Sequence, residues 1–313
     1  MRLILILITL PILGFSQNSY DEIENLFFQK KYLQAQKLME KQVEDYPNDI
    51  KAWELLGDAH GHQENWEEAI EIYKKLVDTN PRSANYQYKY GGSLGMKALS
   101  VNKLRALLLV DDIREAFTKA AELDKNHIDA RWALTEFYMK LPGILGGSTT
   151  KALEYAQELE NISKVDGYLA KGNIYEQDNE PDLAEEYYRK AIKEGGSLTC
   201  YDKLSTFYEN QKKPTEAIAN LEQAQEVHKR NALHYQIGKV AAEYRISLDK
   251  GEKCLITYIN NYSVADGVPI PWARYRLAQI YKYQGNKAAA LQNINLAISD
   301  LPKIDTFKEE KEQ

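Results

Sequence analysis

A chain of 313 residues is too long for one small core; it could hold two ordinary domains, or a stacked array that has no single core to outgrow. Its 44% apolar and 27% charged residues are those of a soluble globular protein, and two cysteines exclude a small disulfide-dependent scaffold. A net charge of −6 argues against a general nucleic-acid binder, which needs a basic surface to displace counterions from phosphates.

Residues 1–16 have the form of an export signal. Arg2 supplies the positive start, Leu3 to Leu13 a short apolar core, and Gly14 and Ser16 the small residues that precede cleavage before Gln17. The apolar run falls short of the roughly 20 residues that span a bilayer, and no later stretch is long and apolar enough to do so. The expectation is a mature chain in the periplasm, or secreted, with no transmembrane segment. No cysteine lies near the cleavage point, so no lipid attachment is expected.

From Asn18 onward the chain keeps a period of about 34 residues. The stretch before Asp49 is a degenerate first unit that keeps Ala35 and Pro47 but has no small residue at the eighth position. The next, Ile50 to Ser83, is the most regular: two amphipathic helices joined by a polar turn, ended by Pro81. Counting from it, small residues recur at the eighth position as Gly57, Gly91, Thr135, Gly172, Ser205, Gly238 and Ala278. They recur at the twentieth as Ala35, Ala69, Ala152, Ala184, Ala217, Cys254 and Ala290, with Ile113 as the exception. Large residues alternate with them: Tyr138, Tyr175, Tyr208 and Tyr281 late in the first helix, and Tyr73, Phe117, Tyr188, Leu221, Tyr258 and Ile294 in the second. Small side chains are required where two helices touch, because added bulk at such a contact costs about 1–3 kcal/mol.

Three insertions interrupt the rhythm between the two helices of a unit: ten extra residues between Leu94 and Ile113, five between Tyr138 and Ala152, and four between Ala241 and Cys254. Insertions at hairpin tips gather on one edge of a stack, which makes that edge a candidate interaction face. The first insertion, with Leu104, Ala106, Leu107, Leu108, Leu109 and Val110, is apolar all round. It is expected to lengthen its helix pair and bury itself against a neighbouring unit; the sharper alternative is a subunit contact through Leu104, Leu107 and Leu108. The second, Leu141 to Ser148, is expected to be a tight turn and helix N-cap. Cys254 is expected to be a buried free thiol.

Several motifs suggest chemistry. Gly91-Gly92-Ser93-Leu94-Gly95 matches the G-x-S-x-G of hydrolase nucleophile elbows, but that elbow needs a preceding strand, and the register puts Tyr90 and Gly91 inside a helix. The Gly143–Ser148 loop lacks the lysine of a phosphate-binding loop. His60, His62 and Glu64 are spaced two apart, which on a helix points them in different directions. No catalytic or metal-binding residues and no cofactor are assigned; a hydrolase or small-ligand binder is a minor alternative.

The units Ile50–Ser83, Val165–Ser197, Leu198–Arg230 and Pro271–Ile304 resemble the tetratricopeptide repeat family. With the lengthened third unit, the Pro142-Gly143-Ile144-Leu145-Gly146-Gly147 loop is similar to that of a subgroup of exported bacterial members. The resemblance implies an all-α, right-handed superhelical solenoid of antiparallel helix pairs, about seven to eight repeats over residues 17–304, followed by a charged C-terminal tail, 305–313. It also implies that the first helix of each unit lines a concave groove. The groove positions fall on Tyr88, Lys89, Trp132, Glu136, Asn173, Lys203, Tyr235, Lys239, Trp272, Tyr275 and Arg276, rich in the Tyr, Trp and Arg that dominate interface energetics. Leu169 and Asp202 stand where the family's clamp for a terminal carboxylate has other residues, so that clamp is not expected. The implied function is a non-catalytic periplasmic scaffold that binds a protein or peptide partner and no nucleic acid. The alternative is an oligomerising structural subunit of an envelope complex or transport assembly that uses the third unit.

Overall fold

The computed structural model describes residues 17–312; the expected export signal lies outside the described residues. The chain divides into two compact units, Met1–Lys140 and Leu141–Gln313, where a single array is expected from the repeat register. Every regular element among the described residues is helical.

In the first unit the order is α1 (Gln17–Phe28), α2 (Tyr32–Asp45), α3 (Ile50–His62), α4 (Trp66–Thr79), α5 (Ala84–Ser100), α6 (Lys103–Leu107), α7 (Val110–Leu123) and α8 (Ile128–Lys140). The second holds α9 (Thr149–Ile162), α10 (Lys164–Gln177), α11 (Pro181–Gly195), α12 (Leu198–Asn210), α13 (Pro214–His228), α14 (Asn231–Tyr244), α15 (Leu248–Asn260), α16 (Ile270–Tyr283), α17 (Lys287–Asp300) and α18 (Asp305–Glu312). Within each unit helices pack pairwise as tetratricopeptide-like hairpins, α3 on α4 and α10 on α11 for example, and successive hairpins pack on one another. With α8 and α9 paired by sequence, there are eight pairs, at the upper end of the expected range.

Local chemistry sets the helix boundaries. Asp49, Ser83, Ser148, Ser163, Ser197 and Asn286 each accept a backbone N–H three residues on and so cap a helix start. Pro181 and Pro214 open α11 and α13, where no N–H is needed. The turn inside a hairpin is tight enough to require a left-handed residue: Lys30, Glu64, Asn179, Lys212 and Gly285 all have φ between 57° and 79° there.

The small-against-large register is borne out at the contacts. A Cβ placed on Gly57 would lie 2.7 Å from the Tyr73 ring, on Gly91 2.9 Å from Phe117, and on Gly172 2.6 Å from Tyr188. Ser205 does the same job with polarity, since its Oγ accepts from Asn220 Nδ2 at 2.8 Å. Ala35, Ala69, Ala184 and Ala217 are all fully buried.

The structure corrects the sequence reading in three places. In the α14–α15 hairpin the twentieth position belongs to Gly251, not Cys254: its Cβ would lie 2.5 Å from Ala241, and Leu255 is the large residue against Gly238. The insertion there is therefore one residue rather than four. Cys254 is half-buried, and burial pushes its thiol up, with Glu222 adding to the effect; it is Cys200 that is buried.

Second, residues 305–312 are not a tail. They form α18, whose Phe307 is fully buried against Trp272 and Tyr275. Third, the apolar insertion lengthens α5 to 17 residues and adds α6, but it does not bury itself: Leu104 and Leu108 are 78% and 80% exposed, and Leu107 is exposed as well. As the repeat register requires, Ser93 lies inside α5, where its hydroxyl donates to the Lys89 carbonyl at 2.9 Å, so no strand-to-helix elbow exists.

The Leu141–Ser148 turn has the expected form. A 3-10 turn at Gly143–Leu145 leads to Gly146 at φ 97°, and a Cβ on Gly147 would lie 1.8 Å from the Leu141 carbonyl oxygen.

Candidate functional site

Within each unit the first helices of successive hairpins lie along one side, and the charged residues on them are cross-connected. In the first unit Lys89 on α5 reaches back to α3 and bridges Glu54 and Asp58, each at 2.7 Å. Asn85 adds a hydrogen bond to Glu54 at 2.9 Å, and the Tyr73 hydroxyl donates to Asp58. Burial alone would lower the Lys89 pKa; Asp58 and Glu54 outweigh it and hold the ammonium above its ordinary value. Burial would likewise raise the Glu54 pKa, but Lys89 and Asn85 hold the carboxyl below its usual value.

The second unit repeats the device. Glu176 on α10 accepts from Tyr188 at 2.8 Å and from Asn210 on α12 at 2.9 Å. Glu209 on α12 pairs with Lys239 on α14 at 3.1 Å, and Glu243 on α14 pairs with Arg276 on α16. Glu310 on α18 closes the row by accepting from Gln279 at 3.0 Å and from Lys282 at 2.8 Å, both on α16. Glu54, Glu209 and Glu243 are each neutralised by a cation on the next first helix, whereas Glu176 meets the neutral amide of Asn210. Partly desolvated pairs of this kind fix the spacing between hairpins more than they add net stability.

This geometry divides the sequence-predicted groove residues into three groups. Tyr235 and Tyr275 are core residues, 7% exposed each: Tyr235 packs on Tyr258, and Tyr275 stacks on Phe307. Trp272 is half-buried with its edge on Phe307, and Tyr88 is half-buried against Phe117 and His127. These rings hold helices together, and burial leaves Tyr235 and Tyr275 little surface for the groove contact expected of them.

Lys89, Lys239 and Arg276 make up the second group; they are spent on the preceding helix, so the expected basic groove is electrically balanced where they stand. Glu136 pairs with Lys140 one turn on at 3.1 Å. In the third group, Trp132 and Asn173 are half-buried on the first helices α8 and α10, and Lys203 on α12 is exposed. Lys203 occupies the sixth position of its unit, as Lys89 and Arg276 do in theirs. Unlike them it holds no carboxylate among the described residues.

The acids of the row were missed from sequence although they left a signal. Glu176, Glu209 and Glu243 recur at the repeat spacing, and the hydrophobic pattern drew attention away from them. The motifs that suggested catalysis do not assemble. His62 stacks on Tyr32 at 4.5 Å, His60 is buried, and no group of three or more His, Cys, Asp or Glu residues is placed to hold a metal among the described residues.

Family descriptions of the tetratricopeptide repeat match residues 26–90, 165–194, 197–231 and 273–299. The unmatched stretch between 91 and 164 holds the long insertion and the glycine-rich turn. No curated protein matches the chain. Among solved structures, it is similar to a thermophilic repeat protein of this family from Thermus thermophilus, with 17% identity, 62% of this chain and 97% of that chain covered, and a TM-score of 0.51. A second, YrrB, described as having an unusual peptide-binding site, shares 21% identity over 64% of this chain and all of its own, with a TM-score of 0.44. A third, from Parabacteroides merdae, shares 13% identity over 94% of this chain and 98% of its own, with a TM-score of 0.48. At 17% identity the likeness to the Thermus thermophilus protein is one of fold alone. The repeat matches, the hairpin packing and the small-against-large contacts agree: the chain is a tetratricopeptide repeat protein.

Proposed function

We propose that the chain is an exported, non-catalytic scaffold that holds an acidic protein segment against the first-helix side of its second unit. Proteins of this repeat class generally mediate protein–protein interaction. The observation that carries the finer reading is Lys203. Where Lys89, Lys239 and Arg276 are neutralised by the preceding first helix, it presents an exposed, unbalanced charge on α12, the helix whose last turn connects to α10 through Asn210 and to α14 through Glu209. A partner carboxylate there gains a charge-assisted hydrogen bond without breaking an existing pair. Export rests on residues 1–16, and N-terminal sequencing of the protein from the envelope fraction tests it: the first residue should be Gln17.

Site-specific photo-cross-linking tests the surface. A cross-linker at position 203 should capture a defined partner in the native envelope, whereas one at Lys190, on the second helix α11, should not. Equal capture from both positions, or capture from position 190 alone, would contradict the assignment.

A further inference from the structure

The turns inside the hairpins of the first unit stand on one edge of the stack, because each joins the first helix of a pair to the second. Two of them share an unusual chemistry. At the α1–α2 turn Phe28 is 88% exposed and is followed by the exposed Lys30 and Lys31. At the α5–α7 connection Leu99, Leu104 and Leu108 are exposed around Lys103 and Arg105, which are exposed too. None of these four cations is engaged in an ion pair among the described residues; Lys97, by contrast, is held by Glu67. Although the chain carries a net charge of −6, neither residues 25–39 nor residues 96–110 contain an acid.

We propose that this edge of the first unit docks on the surface of an anionic lipid bilayer. Charge complementarity selects that occupant. Phe28 and Leu104 lie within two residues of a free cation, and Leu99 and Leu108 within four, so apolar tips can enter the boundary between headgroups and acyl chains while lysine and arginine stems reach back to lipid phosphates. No helix among the described residues is long and apolar enough to cross a membrane, so the contact lies on the surface. The same chemistry recurs at two turns; the acids Glu64, Glu67 and Glu68 between them stand on the unlengthened α3–α4 hairpin, and Glu67 is already held by Lys97. The first-helix row of the second unit is not used, so the proposal stands independently of the partner assigned above.

Vesicle co-sedimentation of the full chain tests it, with phosphatidylcholine vesicles compared against vesicles that also carry phosphatidylglycerol. Residues 1–16 carry Arg2 beside an apolar core and bind lipid by themselves, so the reading is the change that variants of the edge make to the preference for anionic vesicles. Binding should be at least about tenfold tighter to the anionic vesicles, with roughly a fivefold contribution per cation. The double variant Leu104→Ser/Leu108→Ser should lose about tenfold or more, and Lys103→Glu/Arg105→Glu should lose the preference for the anionic vesicles. All four side chains are exposed, so the variants should melt like the parent. Equal binding to both vesicle types, or variants that bind as the parent does, would overturn the proposal. So would a parent dimer in light scattering that Leu104→Ser/Leu108→Ser makes monomeric, since that would identify the edge as a protein interface.

Discussion

Replacing Gly172 by leucine probes the feature that sets the register of the fold. The first side-chain carbon would fall 2.6 Å from Cε1 and 2.7 Å from Cδ1 of Tyr188, where an ordinary contact is 3.4–4 Å. Tyr188 cannot swing aside: it is 1% exposed, packs on Phe207, and is tethered by its hydroxyl to Glu176 at 2.8 Å. Removing a helical glycine recovers about 0.5–1 kcal/mol of backbone entropy. Overpacking against an immobile ring costs about 1–3 kcal/mol, and a leucine in place of no side chain lies at the upper end. The net loss is about 2 kcal/mol, which lowers Tm by about 4–8 °C for a unit of this size. Gly95→Ala is the matched control, since nothing lies within 4 Å of its added carbon; it should be neutral or stabilise by about 0.5–1 kcal/mol. Thermal unfolding followed by circular dichroism reads both. Unchanged melting for Gly172→Leu, or equal shifts for the two variants, would refute the small-against-large reasoning.

Gly251→Leu should destabilise the second unit by about 1–3 kcal/mol, whereas Cys254→Leu, at a half-buried position, should change Tm little; the reverse order would restore the register read from sequence. Phe307→Ala should cost about 3–5 kcal/mol and release α18, which hydrogen exchange of residues 305–312 would detect. Lys89→Ala leaves Glu54 and Asp58 facing each other, and should cost about 1–2 kcal/mol in denaturant unfolding. The carboxyls of Asp49, Glu54 and Glu185 are held below their usual values despite burial, which acts to raise them: by Tyr20 and Gln42 for Asp49, by Lys89 and Asn85 for Glu54, and by Tyr208 and Arg189 for Glu185. A folded pKa below the unfolded one gives stability that is full above the ordinary values of 3.8 for Asp and 4.5 for Glu and is lost as pH falls through the depressed folded pKa. Denaturant midpoints should therefore fall steeply below about pH 4.5, and a midpoint flat from pH 5 to 3 would contradict the pairing.

The fold was legible because it is written in side-chain volume. Gly57 against Tyr73 and Gly172 against Tyr188 must recur at the repeat length if the hairpins are to touch, and composition cannot hide that. Where two small residues fell close together, as Gly251 and Cys254 do, the sequence offered both and only packing could choose. Phe307 sat alone among charges, and nothing local revealed the Trp272–Tyr275 surface that buries it. The candidate site was less legible for a physical reason. An aromatic near the edge of a helix face serves the core or the groove according to a rotation of a few tens of degrees, and that rotation put Tyr235 and Tyr275 inside. The insertion misled in the opposite sense: its leucines lie at the tip of a hairpin, and Leu104 and Leu108 remain in solvent.

The central functional claim is that Lys203 is the charged contact on the first-helix row. With the partner captured by cross-linking, its Kd for the Lys203→Glu and Lys190→Glu variants tests this most directly. Reversing a charge that meets a partner carboxylate should weaken binding at least about tenfold for Lys203→Glu. Lys190→Glu should leave Kd within about twofold of the parent. Equal effects of the two reversals, or none from Lys203→Glu, would contradict the account.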